Sequence, residues 1–269
     1  MTSVSQPNPA EAYERVVAQG MFVPWAEDLV ARAAPEPGEA VLDLACGTGI
    51  VMRQLTHALG QQGKLVGLDI NPAMLAVARS VVPTDAAKVE FHEGSGTDLP
   101  FEDASFDLVL CQQGLQFFPD HAKGLAEIRR VLKPGGRAAI SVWRDLALQS
   151  LLVALDEVVS RHLSPGAFAP GAALADAGLL KEQAEKVGFT EVHLEQVGKT
   201  LEVADPDTFA PMMMQAAAAV LPAFAEMPPD DRAVLIGKMQ ADVMDAIQPL
   251  IINGRLSFST SANVLTCAR

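Results

Sequence analysis

Basic residues are scarce in this 269-residue chain: 20 Lys and Arg face 33 Asp and Glu, a formal net charge of -13 at pH 7. An acidic surface of this size repels phosphate backbones, so we expect no nucleic acid as partner or substrate. Aromatic residues are also few, at 5% of the chain. No basic, aromatic-rich stripe of the kind that binds nucleic acid is present in the sequence.

Cysteine is rarer still, and the three cysteines, Cys46, Cys111 and Cys267, lie far apart within apolar segments. That spacing predicts three reduced, buried thiols and no metal site. No apolar run is long enough to span a bilayer, and residues 1–16 have neither the basic region nor the apolar core of a signal peptide. These absences predict a cytoplasmic protein with no membrane span.

Apolar residues are plentiful, at 49%, and they fall into short strands separated by amphipathic helices. Such alternation is typical of an α/β fold whose parallel sheet is covered by helices on both faces. The predicted strands are residues 40–45, 64–70, 88–93, 106–113, 136–143, 190–203 and 254–269. The predicted helices between the first five strands cover residues 49–60, 71–82 and 120–132.

The helical segments outside this alternation divide the chain further. Residues 1–34 form a predicted N-terminal helical lid, interrupted at Pro24, and residues 205–253 form a helical insert. The core then comprises residues 35–204 and 254–269. The insert, rich in methionine, suits a cap over an apolar substrate, although a dimer interface or ordinary core packing explains its composition equally well.

The stretch Ala45-Cys46-Gly47-Thr48-Gly49 follows the first strand, and small residues there let the backbone turn sharply and approach a ligand closely. Asp69 ends the second strand, where an acidic side chain accepts hydrogen bonds from both hydroxyls of a ribose. A dinucleotide fingerprint would place a small residue at position 52, but Met52 stands there. The pattern therefore favours an adenosine ligand without a pyrophosphate.

Four segments in order, "VLDLACGTG", "LVGLDINPAMLAVAR", "VEFHEGSGTDLPFEDASFDLVLC" and "EIRRVLKPGGRAAISVW", resemble the motifs of class I S-adenosylmethionine-dependent methyltransferases. The resemblance is to the small-molecule type that includes the ubiquinone/menaquinone C-methyltransferases. It implies a Rossmann-like sheet of seven mostly parallel strands with an antiparallel last strand. It also implies S-adenosylmethionine as cofactor and in-line methyl transfer to a small, hydrophobic acceptor, with O-, C- and N-methylation all open.

The resemblance also implies which residues bind the cofactor. Small residues of the turn would pass under its methionine part, Asp69 would hold the ribose, and Ile70 and Met74 would bracket the adenine. Ala45 stands where the family usually has glycine, and Ser95 where it commonly has aspartate. The full predicted set is Asp43, Ala45, Gly47, Gly49, Asp69, Ile70, Met74, Ser95, Gly96, Thr97, Gln112 and Tyr13.

The substrate side of the site is less defined. Gln116, Phe117 and Phe22 are the predicted substrate contacts, and His121 is the one histidine that we single out as a candidate base. Many relatives have histidine near position 116 or 117, whereas this chain has none there. The expected partner is a small molecule, and a homodimer stays open.

Three other functions remain open at this point. The same sheet could serve an NAD(P)-dependent oxidoreductase, or it could bind S-adenosylmethionine without transferring methyl, as a pericyclase, decarboxylase or binding-only module. A macromolecular methyltransferase is the third. The sequence "QQGLQF" after the fourth strand lacks the Asn/Asp-Pro-Pro-aromatic motif of nucleic-acid amino-methylating relatives.

Overall fold

The computed structural model describes residues 9–163, 165–166, 168–219, 224 and 226–269. Two compact units share the chain. The first contains the chain up to Val142 together with Asp176–Gln196 and Asn263–Arg269, and the second contains Trp143–Ala175 and Val197–Ala262. Residues 220–223 and 225 of the predicted insert lie outside the described residues.

The N-terminal segment is helical from Pro9 to Ala33, but its hydrogen-bond pattern changes along the way. A short α1 (Pro9–Ala12) leads into a π-helix over Tyr13–Phe22, and α2 follows as Val23–Ala33. Pro24 lies in the first turn of α2, and it has no N–H to donate to a carbonyl of the preceding π-helical turn. The predicted interruption at Pro24 is therefore a change from π to α geometry rather than a gap in the helix. A ten-residue π-helix is unusually long, since π-helices normally occur as single turns.

In the described part of the chain, eight strands form one sheet in the order β3-β2-β1-β4-β5-β8-β6, with β7 paired to β8. They are β1 (Ala40–Leu44), β2 (Lys64–Asp69), β3 (Lys88–Glu93), β4 (Phe106–Gln112), β5 (Leu132–Trp143), β6 (Thr190–Val203), β7 (Ile251–Ile252) and β8 (Arg255–Ala268). Neighbours from β3 to β5 all pair in parallel. The order reverses between β1 and β4, which places a ligand crevice at the carboxyl ends of these strands.

The last long strand runs against its neighbour β5. Arg269 N donates to Gly136 O at 2.9 Å, and Arg144 N donates to Ser261 O at 3.0 Å, so one strand ascends as the other descends. The mostly parallel Rossmann-like sheet with an antiparallel last strand is confirmed. The described residues contain eight strands rather than the predicted seven, because Ile251–Ile252 folds back on the start of β8 around Asn253 and Gly254.

Helices fill the connections. They are α3 (Ile50–Leu59), α4 (Pro72–Val81), α5 (His121–Val131), α6 (Ser150–His162), α7 (Ala177–Lys186), α8 (Pro206–Ala219) and α9 (Pro229–Ile247). The predicted start of α4 is correct: Asn71 caps it by accepting from Ala73 N at 2.9 Å, and Pro72 is its first residue. Short 3₁₀ turns occupy Leu115–Phe117, Leu146–Leu148, Ala169–Ala172 and Gln248–Leu250.

The core of the first unit lies on the sheet. Val41, Leu42 and Leu44 of β1 are fully buried, as are Leu108 and Leu110 of β4. Strands covered on both faces need this continuous apolar run. All three cysteines are free and buried, as predicted.

The second unit has its own apolar packing. Phe209 and Phe258 stack with their ring centroids 5.9 Å apart, and Met239 and Val243 of α9 are buried. Val234, at the same helical spacing, is 60% exposed. Within the described ranges, no helix is both long and apolar enough to cross a membrane.

Candidate functional site

The turn after β1 is built from residues in left-handed backbone conformations. Ala45 (φ +58°), Gly47 (φ +54°) and Gly49 (φ +81°) lead directly into α3. A Cβ at Gly49 would lie 2.5 Å from Val82 Cγ2, so that position needs glycine for packing as well as for its backbone angle. A Cβ at Gly47 would meet nothing within 4 Å, so open space adjoins the turn at Gly47.

Asp69 joins this turn to the end of β2. One carboxylate oxygen accepts from Gly47 N and the other from Asn71 N, both at 2.8 Å. The structure thus brings together the two features that the sequence paired, 22 residues apart. The carboxylate lies at the carboxyl edge of the sheet beside the turn, where the fold places a ligand.

Asp43 lies beneath the turn and is 1% exposed. Burial raises its pKa well above the usual value, the charge of Asp69 raises the pKa further, and the Met52 amide opposes the rise. Its Oδ2 has no hydrogen-bond partner among the described residues. A buried acid held in the neutral form can donate a hydrogen bond as well as accept one.

The N-terminal helix contacts the same turn through a residue that the sequence did not single out. Glu14 accepts from Thr48 Oγ1 at 2.5 Å and from Arg53 Nη2 at 2.8 Å. Arg53 in turn donates to Thr48 O at 3.1 Å. Only the fold brings position 14 to position 48, so no local pattern marks this contact.

Two predicted residues of the N-terminal segment also lie here. The Tyr13 and Phe22 rings are 6.1 Å apart. Burial, together with the charges of Glu14 and Asp69, raises the pKa of the Tyr13 phenol. Phe22 O accepts from Gln112 Nε2 at 3.1 Å, so this segment also reaches the end of β4.

The loop after β3 holds the three predicted residues Ser95, Gly96 and Thr97. The Ser95 hydroxyl is 2.9 Å from the Thr97 hydroxyl and accepts from Thr97 N at 3.2 Å, so it supports the loop itself. A Cβ at Gly96 would lie 2.1 Å from the Phe118 ring. Phe118 therefore packs directly on the Gly96 backbone.

Ile70 and Met74 follow Asp69, the last residue of β2, along the chain. Ile70 is 72% exposed, which is high for an isoleucine, and Met74 is half-buried in the first turn of α4. Their proposed bracketing of an adenine ring stays a prediction.

A second set of buried polar groups lies at the end of β4 and directly after it. Gln112 and Gln113 are 8% and 6% exposed, and Gln113 has a left-handed backbone (φ +53°). Gln113 was not among the predicted site residues, although it follows Gln112 directly in the sequence. Both polar atoms of its side chain are buried without a hydrogen-bond partner in the described part of the chain.

The predicted substrate residues Gln116 and Phe117 lie in the 3₁₀ turn that follows. Gln116 is 2% exposed, whereas Phe117 is 60% exposed. His121 starts α5, with its Nε2 3.3 Å from Gln116 O. The histidine thus contacts the backbone of this turn, and its role as a base stays a prediction.

Comparison with known proteins agrees with this geometry. A family profile described as "Methyltransferase domain" matches residues 42–140. The demethylmenaquinone methyltransferase of Lactococcus lactis is 33% identical over 188 residues, which cover 65% of this chain and 75% of that protein. The chain belongs to the S-adenosylmethionine-dependent methyltransferases, and S-adenosylmethionine is its cofactor.

Other relatives match over a shorter span. The UbiE ubiquinone/menaquinone biosynthesis C-methyltransferase of Brucella anthropi is 41% identical over 140 residues, covering 51% of this chain and about half, 53%, of that protein. Phosphoethanolamine N-methyltransferase 2 of Haemonchus contortus, solved with S-adenosyl-L-methionine, has the same fold. Its TM-score is 0.58 at 20% identity, over 99% of this chain and 58% of that chain.

Proposed function

We propose that this protein transfers a methyl group from S-adenosylmethionine to a ring carbon of a small aromatic quinol. The observation that carries the proposal is the junction of Asp69 with the glycine turn at Gly47, beside open space at the carboxyl edge of the sheet. The names of the Lactococcus and Brucella relatives support the quinone-type acceptor and C-methylation.

The residues present fit the cofactor. The Asp69 carboxylate suits the two ribose hydroxyls, since ionised oxygens accept several hydrogen bonds at once. The unpartnered oxygens of Asp43 and Gln112 suit the polar methionine end. When bound, S-adenosylmethionine supplies a sulfonium methyl group that is open to in-line attack.

The protein's own contribution is then alignment and exclusion of water. Phe22 and Gln112, joined by a hydrogen bond, cover the end of β4 beside the turn. A quinol ring is a strong carbon nucleophile once a hydroxyl is ionised, so positioning supplies most of the rate enhancement. The buried side-chain amides of Gln112 and Gln113 are neutral, which suits binding of the acceptor rather than strong base catalysis.

Methyl-labelled S-adenosylmethionine and 1,4-dihydroxynaphthalene, mixed without oxygen, test the proposal. We expect a product that has gained one methyl in place of a ring hydrogen, detected by mass spectrometry. Transfer of label only to protein or RNA would refute it, as would 1,4-dihydroxynaphthalene recovered without an added methyl group.

Asp69→Asn tests the cofactor half of the site separately. The substitution removes a charged acceptor, so we expect the Kd for S-adenosylhomocysteine to rise about tenfold to a hundredfold in calorimetry. The exposed Asp85→Asn serves as the matched control and should bind like the unaltered protein. Equal affinity in both variants would remove Asp69 from the ribose site.

A further inference from the structure

Three neighbouring side chains at the carboxyl ends of β4 and β5 are buried with polar atoms that have no hydrogen-bond partner in the described structure. They are Gln112, through Oε1, Gln113, through Oε1 and Nε2, and Ser141, through Oγ. Each is more than nine-tenths buried. An unpaired buried polar group costs about 1 to 3 kcal/mol, so three together call for an explanation.

The strand register places these groups side by side. Gln112 and Ser141 are direct partners in the parallel β4–β5 pair, so their side chains share one face of the sheet. Gln113 N donates to Ser141 O at 2.9 Å, which fixes the Gln113 backbone against the same residue. The three residues are therefore neighbours along the backbone at the edge where the fold places its ligand.

The backbone at Gln113 is strained. Its φ of +53° is left-handed, a conformation that costs a non-glycine residue of order 1 kcal/mol or more. Such strain is concentrated at active sites, ligand clamps and switch regions. Here the strained residue is Gln113, and both polar atoms of its side-chain amide lack a hydrogen-bond partner in the described structure.

The side chains of Gln112, Gln113 and Ser141 carry no charge. Residues 111–114 are Cys-Gln-Gln-Gly and residues 140–143 are Ile-Ser-Val-Trp, so neither strand end contributes a lysine, arginine or histidine. The next residue, Arg144, already donates to Ser261 Oγ at 3.2 Å. An amide offers one donor and one acceptor side by side, and a hydroxyl both donates and accepts. This set suits a neutral hydroxyl and does not suit a carboxylate or phosphate.

We infer that Gln113, with Ser141, binds a hydroxyl group of the methyl acceptor and selects acceptors that carry one. The inference rests on the proposed function and adds the recognition element to it. In the bound state Gln113 Nε2 donates a hydrogen bond to the hydroxyl oxygen, or Gln113 Oε1 accepts a hydrogen bond from the hydroxyl. Ser141 Oγ completes the contact from β5.

Binding of two matched probes tests the inference without requiring turnover. The protein is saturated with S-adenosylhomocysteine, and the affinities for 1-naphthol and 1-methylnaphthalene are compared by calorimetry. The two probes have nearly the same shape and differ in the hydroxyl. We expect the unaltered protein to prefer 1-naphthol about tenfold or more, although 1-methylnaphthalene is the more apolar probe.

Gln113→Met keeps the length of the side chain and removes both polar atoms. We expect its preference for 1-naphthol to fall to about twofold or less, with unchanged affinity for S-adenosylhomocysteine. Ser141→Ala should lower the same preference by a smaller factor, which provides a second variant if Gln113→Met fails to fold. The exposed Gln61→Met is the control and should keep the full preference.

The outcomes separate this inference from the proposed function. No preference for 1-naphthol in the unaltered protein overturns the inference even if a quinol is methylated. A preference that survives in both Gln113→Met and Ser141→Ala overturns the inference as well. In that case water, rather than the acceptor, forms hydrogen bonds with the three side chains. A preference that both variants lose supports the inference even if 1,4-dihydroxynaphthalene is never methylated, in which case the proposed reaction alone fails.

Discussion

At the scale of single residues, Ala45 and Gly114 form a complementary pair. Ala45 has the left-handed backbone that usually calls for glycine, and its Cβ would be 2.5 Å from a Cβ placed on Gly114. The loop after β4 thus makes room for the methyl group that the turn after β1 carries. The sequence shows the unusual alanine, but its compensating glycine lies 69 positions away and is visible only in the fold.

The pair predicts a coupled response to mutation. Gly114→Ala should destabilise the protein by about 1 to 3 kcal/mol through overpacking. Ala45→Gly alone should change stability by less than about 1 kcal/mol, because relief of the left-handed strain offsets the greater freedom of glycine in the unfolded chain. The double variant should regain most of the loss, and denaturant unfolding measures all four proteins.

Gly198→Ala is the control for the added methyl group, since a Cβ there meets nothing within 4 Å. It should show no coupling to Ala45→Gly. If the double variant is as unstable as the sum of its two single changes, the contact between positions 45 and 114 does not limit packing.

At the scale of elements, the N-terminal helix is held to the glycine turn by Glu14. Its carboxylate binds both Thr48 and Arg53, and the Glu14 and Arg53 side chains are 12% and 17% exposed. Breaking an ion pair with this degree of burial lowers stability more than breaking an exposed pair, because removal of one partner leaves the other charge poorly solvated.

Glu14→Ala should therefore loosen this helix without unfolding the sheet. We expect a loss of about 2 kcal/mol in local stability, which is roughly thirtyfold faster amide hydrogen exchange over Tyr13–Phe22. The exposed Glu27→Ala, in α2, should leave exchange in that segment unchanged. Unaltered exchange in Glu14→Ala would show that apolar packing alone holds the helix.

The sequence predicts an element well when the residues that stabilise it lie within that element, and poorly when they lie far along the chain. The bounds of β3 and the Asn71 cap of α4 follow from apolar pattern and cap chemistry within a few residues. The π-helix of Tyr13–Phe22 and the early start of β5 at Leu132 do not, because partners far along the chain stabilise them. The buried Gln113 amide was missed for the same reason, since nothing local distinguishes a buried glutamine from an exposed one.

At the scale of the whole molecule, several carboxylates are tuned to the charged form by basic neighbours. Hydrogen bonds from Arg130 lower the pKa of Glu127, and those from Lys64 lower the pKa of Glu90. At Asp107, burial would raise the pKa, but Lys133 and Ala40 N outweigh it. Because the folded pKa of each is depressed, the stability that each adds is complete above its unfolded pKa and is lost as the pH falls through the folded value.

This arrangement predicts acid sensitivity. The stability that these carboxylates add should be kept from pH 7 to about 5 and then lost, since unperturbed Asp and Glu titrate near pH 4. The raised pKa of Asp43 acts in the opposite direction, because the neutral form that the fold favours gains stability as the pH falls. Glu127→Gln should be about 1 to 2 kcal/mol less stable than the unaltered protein at pH 7 and should approach it near pH 3. Calorimetric scans at each pH measure both curves.

The exposed Glu185, 3.8 Å from Lys181, offers the comparison. Glu185→Gln should run parallel to the unaltered protein across the whole pH range, because exposed pairs of this kind add little. A constant difference between Glu127→Gln and the unaltered protein from pH 7 to pH 3 would exclude the Glu127–Arg130 interaction as a source of the acid response.

The Asp69 carboxylate has one further consequence. Two main-chain N–H groups already fix both of its oxygens at 2.8 Å, so the side chain holds a single rotamer before any nucleoside arrives. An arriving sugar would use the remaining lone pairs and would not have to immobilise a mobile acid. The entropy lost on complex formation therefore falls mainly on the incoming molecule, which is the thermodynamic benefit of a preorganised receptor.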